Sequence, residues 1–191
     1  MSEARRGRPR GFDPEVALKK ASDAFRASGY ASTSLDDIAR ATGLNRPSLY
    51  AAFGDKKAMY VAALERLWGN IDKQFAALEA ADLPLADSVA RILKTSIDAY
   101  SAGPVPQGCL AICTATAEAA GDADIREKLD RVLDLMDERI ARFYARAGDN
   151  HPRAKARILA GVLHSISIRA RAGQPRAVLD QMAEEALRAL T

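Results

Sequence analysis

At 191 residues the chain has room for one large domain, or for a small domain joined to a larger one. Apolar residues make up 48% and charged residues 28%, a globular balance that excludes general disorder, and no apolar run approaches the roughly 18 residues of a membrane span. The net charge of +3 is uneven: residues 1–60 hold 11 Lys and Arg against 7 Asp and Glu, residues 61–191 hold 17 against 18, so an anionic partner is expected for the front alone.

Alanine, leucine, arginine and glutamate are abundant and β-branched and aromatic residues sparse, which favours an all-α fold. The start, MSEARRGRPRG, has basic residues but no apolar stretch behind them, unlike a secretory signal. Two cysteines, Cys109 and Cys113, make no disulfide framework, and the protein reads as cytoplasmic and reduced. Residues 1–12 form a basic arm in which Gly7, Pro9 and Gly11 disfavour helix. Arg6-Gly7-Arg8-Pro9 suits an A·T-rich minor groove or phosphates, with Arg8 and Arg10 as candidate contacts, and equally a solvated tail.

Asp13 caps and Pro14 opens a first helix, striped by Leu18, Ala21, Ala24 and Phe25 and closed by Gly29. Thr33 or Ser34 caps a short second helix that buries Leu35, Ile38 and Ala39. Gly43 makes the turn. Asn45 caps a third helix with Pro47 in its first turn and Leu44, Leu49 and Phe53 inward, and Gly54 ends it. A long fourth helix, from about Lys56 to about Ala80, keeps a 3.6-residue rhythm through Tyr60, Leu64, Leu67, Trp68, Ile71, Phe75 and Leu78. After Pro84 a fifth helix carries Val89, Ile92, Leu93, Ser96, Ile97 and Tyr100, and Gly103 to Pro106 is a loop. A sixth, from about Gln107 to Ala119, is small and apolar. A seventh follows an Asp122 or Asp124 cap and aligns Ile125, Leu129, Val132, Leu133, Met136, Ile140, Phe143 and Tyr144. The eighth and ninth run from about Arg153 to Arg171 and from about Pro175 to Leu190. They form an antiparallel pair that either closes the monomer core or meets its own copy in a four-helix bundle.

Three short helices with a glycine turn between the second and third fit a helix-turn-helix, whose last helix must enter a major groove about 12 Å wide. The third helix here has that surface: Asn45, Arg46, Pro47, Ser48, Tyr50, Ala51 and Ala52 are outward or N-terminal, and Leu49 and Phe53 anchor it. Arg46 suits a bidentate contact to guanine and Ser48 a base edge or phosphate. Tyr50 and Lys56 suit phosphate oxygens, as do the Thr33 and Ser34 hydroxyls beside the N–H groups of the second helix's first turn.

Residues 12 to about 66 resemble the DNA-binding domain of TetR/AcrR-type transcriptional regulators. The match lies in Gly29-Tyr30-Ala31-Ser32-Thr33-Ser34-Leu35, Ile38-Ala39, Gly43-Leu44-Asn45-Arg46-Pro47-Ser48-Leu49-Tyr50, Phe53 and Lys56. The resemblance implies a nine-helix, two-domain all-α architecture: a helix-turn-helix domain over residues 13–56 and an effector-binding and dimerisation domain over 57–191. It implies a homodimeric repressor of a palindromic operator, released by a small molecule. It places the dimer in the last two helices, through Leu159, Val162, Leu163, Ile166, Leu179, Met182 and Leu187, and the effector among the middle helices. Pocket candidates there are Trp68, Ile92, Ser96, Tyr100 and Cys109, with Ile112, Thr116, Met136 and Tyr144, a lining suited to a small amphipathic ligand. Ala51-Ala52 depart from the bulky aromatic or histidine side chains that such proteins often carry. The pair favours thymine-methyl contacts or a larger share for Arg46 and the arm, and it is the only support for an interaction module with a weakened head.

Gly108-Cys109-Leu110 resembles a TetR subgroup in which some members sense electrophiles or oxidants through that cysteine. Cys109 in a helix first turn would have its thiolate favoured by the helix dipole, with Cys113 one turn along; the alternative is two inert buried thiols. Neither the cysteines nor His151 and His164 have metal-ligand spacing, and no cofactor motif or catalytic constellation is present, so no metal, cofactor or enzymatic activity is expected.

Overall fold

The computed structural model describes residues 12–191; the arm residues Arg8 and Arg10 lie outside them. The described residues fold into nine helical segments and no strand. The first three are short and locally specified. In α1 (Pro14–Ser28) the Asp13 carboxylate accepts from Glu15 N at 2.8 Å. In α2 (Leu35–Thr42) Ser34 and Asp37 form a reciprocal capping box, and the bonds from Ser34 hold the Asp37 carboxyl down at about 2. In α3 (Arg46–Phe53) the Asn45 side chain accepts from Ser48 N at 2.9 Å. Gly43 takes the left-handed conformation, φ +77°, that the tight α2–α3 turn demands.

The long helix α4 (Lys56–Ala80) has the bounds expected from its rhythm, and Asp55 caps it by accepting from Ala58 N at 2.7 Å. After a short connection comes α5 (Leu85–Tyr100). A connection then leads to α6, a π-helical stretch Ala111–Ala115 running into one α-helical turn, Thr116–Glu118. The fold closes with α7 (Ala123–Arg146), α8 (Pro152–Arg171) and α9 (Arg176–Leu190).

The sixth helix starts later than expected because the backbone before it is bonded elsewhere. Gln107 N and Gly108 N both donate to Tyr100 O, and Cys109 N donates to Ser167 Oγ on α8 at 2.8 Å. Gly108 sits at φ +67°, and a Cβ there would lie 2.5 Å from Ser167 O and 2.6 Å from Cys113 Sγ. Only glycine fits that approach. In α7, Leu135 is buried while Leu133 is only half-buried, a small rotation of the expected stripe.

Two apolar clusters organise the packing. One joins the three short helices and the first half of α4 to Cys109, Leu110, Ala111 and Ala115 and to Ile125, Leu129 and Val132 of α7. The other joins the far half of α4 to α5, the rest of α7, α8 and α9, and Ile71 and Tyr100 pack against both. The apolar packing therefore runs across residue 56 without a break: Tyr60 touches Phe25 at 5.0 Å between ring centroids and hydrogen-bonds Thr114 in the π-helical stretch at 2.5 Å.

Four of the seven residues expected to pair copies of the chain need correction. Leu159, Leu163, Ile166 and Leu179 are 0–1% exposed in the single chain, and Val162, Met182 and Leu187 pack partly against the same core. Their stripe faces inward because it has α5 and α7 to cover. The outer face of α8 instead carries Ile158, Gly161, Ser165 and Ile168, with Ile158 57% and Ile168 56% exposed.

Candidate nucleic-acid interface and the cavity behind it

A single fully buried leucine, Leu49, pins α3 to the head, and Asn45, Arg46, Pro47, Tyr50 and Ala51 are left exposed, with Ser48 and Ala52 half-buried. The outward surface is small and polar, as the sequence indicates. Arg46 is not free, however. Its Nε and Nη2 donate to Asp36 Oδ1 and Oδ2 at 2.7 and 2.6 Å, and this pairing holds the Asp36 carboxyl below its ordinary range. The fork that suits guanine is closed on α2.

Thr33 does not belong to this surface. It is 1% exposed and its hydroxyl donates to Gly29 O at 2.6 Å, a bond that fastens the α1–α2 turn, so it has no route to a phosphate. Ser34 is exposed, with its hydroxyl engaged by Asp37 at 2.6 Å. Lys56 Nζ lies 4.5 Å above the Tyr30 ring and 3.4 Å from Ala31 O. Tyr30 thus holds Lys56 beside the N-terminus of α2, a positioning role that the sequence alone does not reveal.

Four side chains tie this head and the start of α4 to the rest of the chain. Lys57 Nζ bridges Asp122 and Asp124 at 2.8 and 2.7 Å, which raises the lysine above its ordinary value and joins the start of α4 to the start of α7. Tyr60 bonds Thr114, and burial pushes its phenol up to about 12. Arg26, near the end of α1, donates through Nε to Gly108 O at 2.6 Å and through Nη2 to Ala99 O. Arg171 on α8 donates to Arg26 O at 2.6 Å and to Gln107 O at 3.3 Å.

Behind the head a cavity of about 460 Å³ lies between α1, α4 and α5. Its floor is apolar: Ala63, Phe75, Leu78, Ile92, Leu110 and Met136 are buried. Arg26, Arg66, Asn70, Ser96 and Tyr100 are half-buried around it, and Asp23, Gln74, Arg91 and Thr95 are exposed at the rim. Of the expected lining, Ile92, Ser96, Tyr100, Cys109 and Met136 are present. Trp68, Ile112, Thr116 and Tyr144 are not: Trp68 lines a separate hollow under the Arg131 guanidinium, and Tyr144 is buried in the core of α7–α9. The arginines were missed because apolar stripes mark helix faces whereas charged wall positions depend on how three helices meet.

Of the two states expected for Cys109, the structure shows the buried thiol. It precedes the helical turn and is 7% exposed, and burial pushes its thiol up against the opposing N–H groups of Ile112 and Ala111. Desolvation outweighs the helix dipole, so the group is held as a thiol. Cys113 is the more accessible of the two, with Sγ 3.3 Å from Ser167 Oγ. Among the described residues, no group of three or more His, Cys, Asp or Glu is placed to hold a metal, and no helix is long and apolar enough to cross a membrane.

Residues 17–63 match the family model described as bacterial regulatory proteins, tetR family. The chain is 32% identical over 195 residues to the HTH-type transcriptional repressor ComR of Escherichia coli (strain K12), covering 96% of this chain and 91% of that protein. It is 31% identical, with a TM-score of 0.79, to a cysteine mutant of the TetR family transcriptional regulator CifR solved with 26-bp double-strand operator DNA, over 96% of this chain and 100% of that one. A TetR transcriptional regulator from Legionella pneumophila superimposes with a TM-score of 0.85 over 96% of this chain and all of its own; at 16% identity it speaks for the fold alone.

Proposed function

The chain belongs to the TetR family of bacterial regulatory proteins, which control transcription and are not enzymes, and from that membership we propose that it is a homodimeric repressor that binds a palindromic operator in the cytoplasm and is released by a small organic ligand. The carrying observation is α3: a helix held by one buried leucine, with an exposed face of small and polar residues, flanked by Lys56 and the start of α2. Residues 13–56 act as the reading head. Ser34, Tyr50 and Lys56 reach phosphates, Arg46, Ser48 and the Asn45-Pro47 turn reach base edges, and Arg8 and Arg10 add charge from the arm.

Residues 57–191 supply pairing and ligand binding. The outer face of α8 is available for a second copy: Ile158 and Ile168 are exposed, and a Cβ on Gly161 would meet nothing within 4 Å, so another helix can approach closely. The ligand occupies the cavity bounded by α1, α4 and α5 and shifts the dimer toward a spacing of heads that does not fit half-sites roughly 34 Å apart. Ligand and operator then oppose each other by the same factor.

The test is selection of genomic fragments by the purified protein, followed by sequencing. Recovery of a shared palindrome, bound with steep salt dependence, is expected. Fragments with no common sequence would overturn the proposal. Release by modification of Cys109 is disfavoured by the burial of that thiol.

A further inference from the structure

The cavity carries charge that an apolar ligand would not need. Among the described residues three guanidinium groups, Arg26, Arg66 and Arg91, line it against one carboxylate, Asp23, and that carboxylate is already paired with Lys19 at 2.7 Å. The arginines are not equivalent. Arg91 is exposed at the end of the cavity where Ala77 and Leu78 of α4 meet the first half of α5. Arg26 and Arg66 are half-buried at the other end, where α4 passes α1 and the last turn of α5, as the bond from Arg26 to Ala99 O shows.

This half-buried pair has donors to spare. Among the described residues Arg66 Nε is shielded from solvent and makes no hydrogen bond, and its ion pair with the largely exposed Glu15 is long, at 3.8 Å. Arg26 spends Nε and Nη2 on two carbonyls, and its Nη1 makes no hydrogen bond among the described residues. A guanidinium in a half-dry wall keeps its charge, and an ionised acceptor is the partner that suits it best. From this end the apolar floor of Ile71, Phe75, Leu78, Ile92 and Met136 runs away along α4 and α5.

We infer that the ligand of this cavity is an amphipathic organic carboxylate, with its anionic head bound by Arg66 and Arg26 and its hydrocarbon part lying over Phe75, Ile92 and Met136. The inference rests on the reading of the cavity as the effector site and names its chemistry. It also supplies a route to the head. Arg26 belongs to α1 and ties that helix to Ala99 and Gly108, so an anion drawn to its guanidinium competes for the bonds that hold α1 in place.

The experiment uses the intact protein and three probes with one eight-carbon chain: octanoate, 1-octanol and octylammonium. Binding is measured by calorimetry at fixed salt, and operator affinity is measured with and without each probe. Octanoate should bind at least about tenfold more tightly than 1-octanol. Arg66→Gln should erase that preference, a loss of about ten- to a hundredfold for octanoate. Arg66→Lys, which keeps the charge, should retain part of it and shows that the position tolerates change. 1-Octanol binding as tightly as octanoate, or an octanoate affinity unmoved by Arg66→Gln in a protein of unchanged melting temperature, would overturn the anionic ligand and leave the effector cavity standing. Selective octanoate binding that leaves operator affinity unchanged would uphold the anion site and sink the effector reading, and failure of all three probes to bind would overturn both.

Discussion

Arg46 and Asp36 clasp each other through two parallel hydrogen bonds of 2.7 and 2.6 Å, so the residue best suited to read a base is parked on the neighbouring helix. The pair is exposed and exchange is cheap, since water and salt screen a surface ion pair. Arg46→Ala should therefore cost about 1–3 kcal/mol of operator affinity and relax specificity at one position. Asp36→Ala frees the fork and removes a negative charge near the phosphates. It should tighten binding to random DNA more than to operator, narrowing the specificity ratio. Fluorescence anisotropy with both DNAs, repeated at two salt concentrations, measures each effect.

Gly108→Ala tests the junction between the α5–α6 connection and α8. The new methyl would collide with Ser167 O and Cys113 Sγ at a backbone angle that L residues rarely adopt. Strain and overpacking each cost about 1–3 kcal/mol, so thermal unfolding should show a large fall in melting temperature. Gly161→Ala, on the open outer face of α8, should leave the monomer's stability nearly unchanged.

Alkaline stability should depend on Tyr60. Its phenol is raised from 10.0 to about 12 by burial, so folding favours the protonated form. The stabilisation is complete below pH 10, and it is lost as pH rises from there toward 12, because the unfolded chain ionises first. A shift of that size corresponds to about 2–3 kcal/mol. Tyr60→Phe should lose about 1 kcal/mol at neutral pH with the Thr114 bond and should flatten the alkaline decline. Urea midpoints from pH 8 to 11 distinguish the two proteins; an alkaline decline as steep in the variant would contradict the assignment.

The two faces of α8 should respond differently to substitution. Leu163→Ala opens a hole in the monomer core and should cost about 2–5 kcal/mol in unfolding experiments. Ile158→Glu places a charge on the exposed outer face. It should leave the fold intact, convert dimer to monomer in sedimentation and abolish tight operator binding.

Iodoacetamide should discriminate the thiols. Cys109 is buried with its thiol raised, so native labelling, followed by mass spectrometry, should be slow and fall mainly on Cys113. Rapid modification of Cys109 in the folded protein would restore it as a candidate switch.

The elements that the sequence makes legible are those fixed by neighbours along the chain. Asp13 and Asn45 cap the helices they were expected to cap, and α4 keeps its bounds, because caps and periodicity act over a few residues. What escaped depends on distant partners. Ser167 delays the start of α6 by binding Cys109 N from 58 residues away. Thr33 looks like a phosphate ligand by type and is a fastener of the α1–α2 turn by burial. Leu159, Leu163 and Ile166 form the kind of stripe that a dimer needs, and only the placement of α5 and α7 shows that it is already covered. Arg66 gave no signal at all, since a lone arginine on a long helix resembles a solvated one until a cavity is found beneath it.

At about 1.5 Å per residue the 25 residues of α4 make a rod roughly 37 Å long. One end is clasped by Lys57 to α7, and the middle is a wall of the cavity. Turning such a rod by about 5° carries its tip roughly 3 Å, several times the few tenths of an ångström over which a hydrogen bond to a base edge is made or broken. Mechanical advantage is thus built into the length of one helix: a movement too small to disturb the packing at its middle is large at its tip, on the scale at which DNA is read.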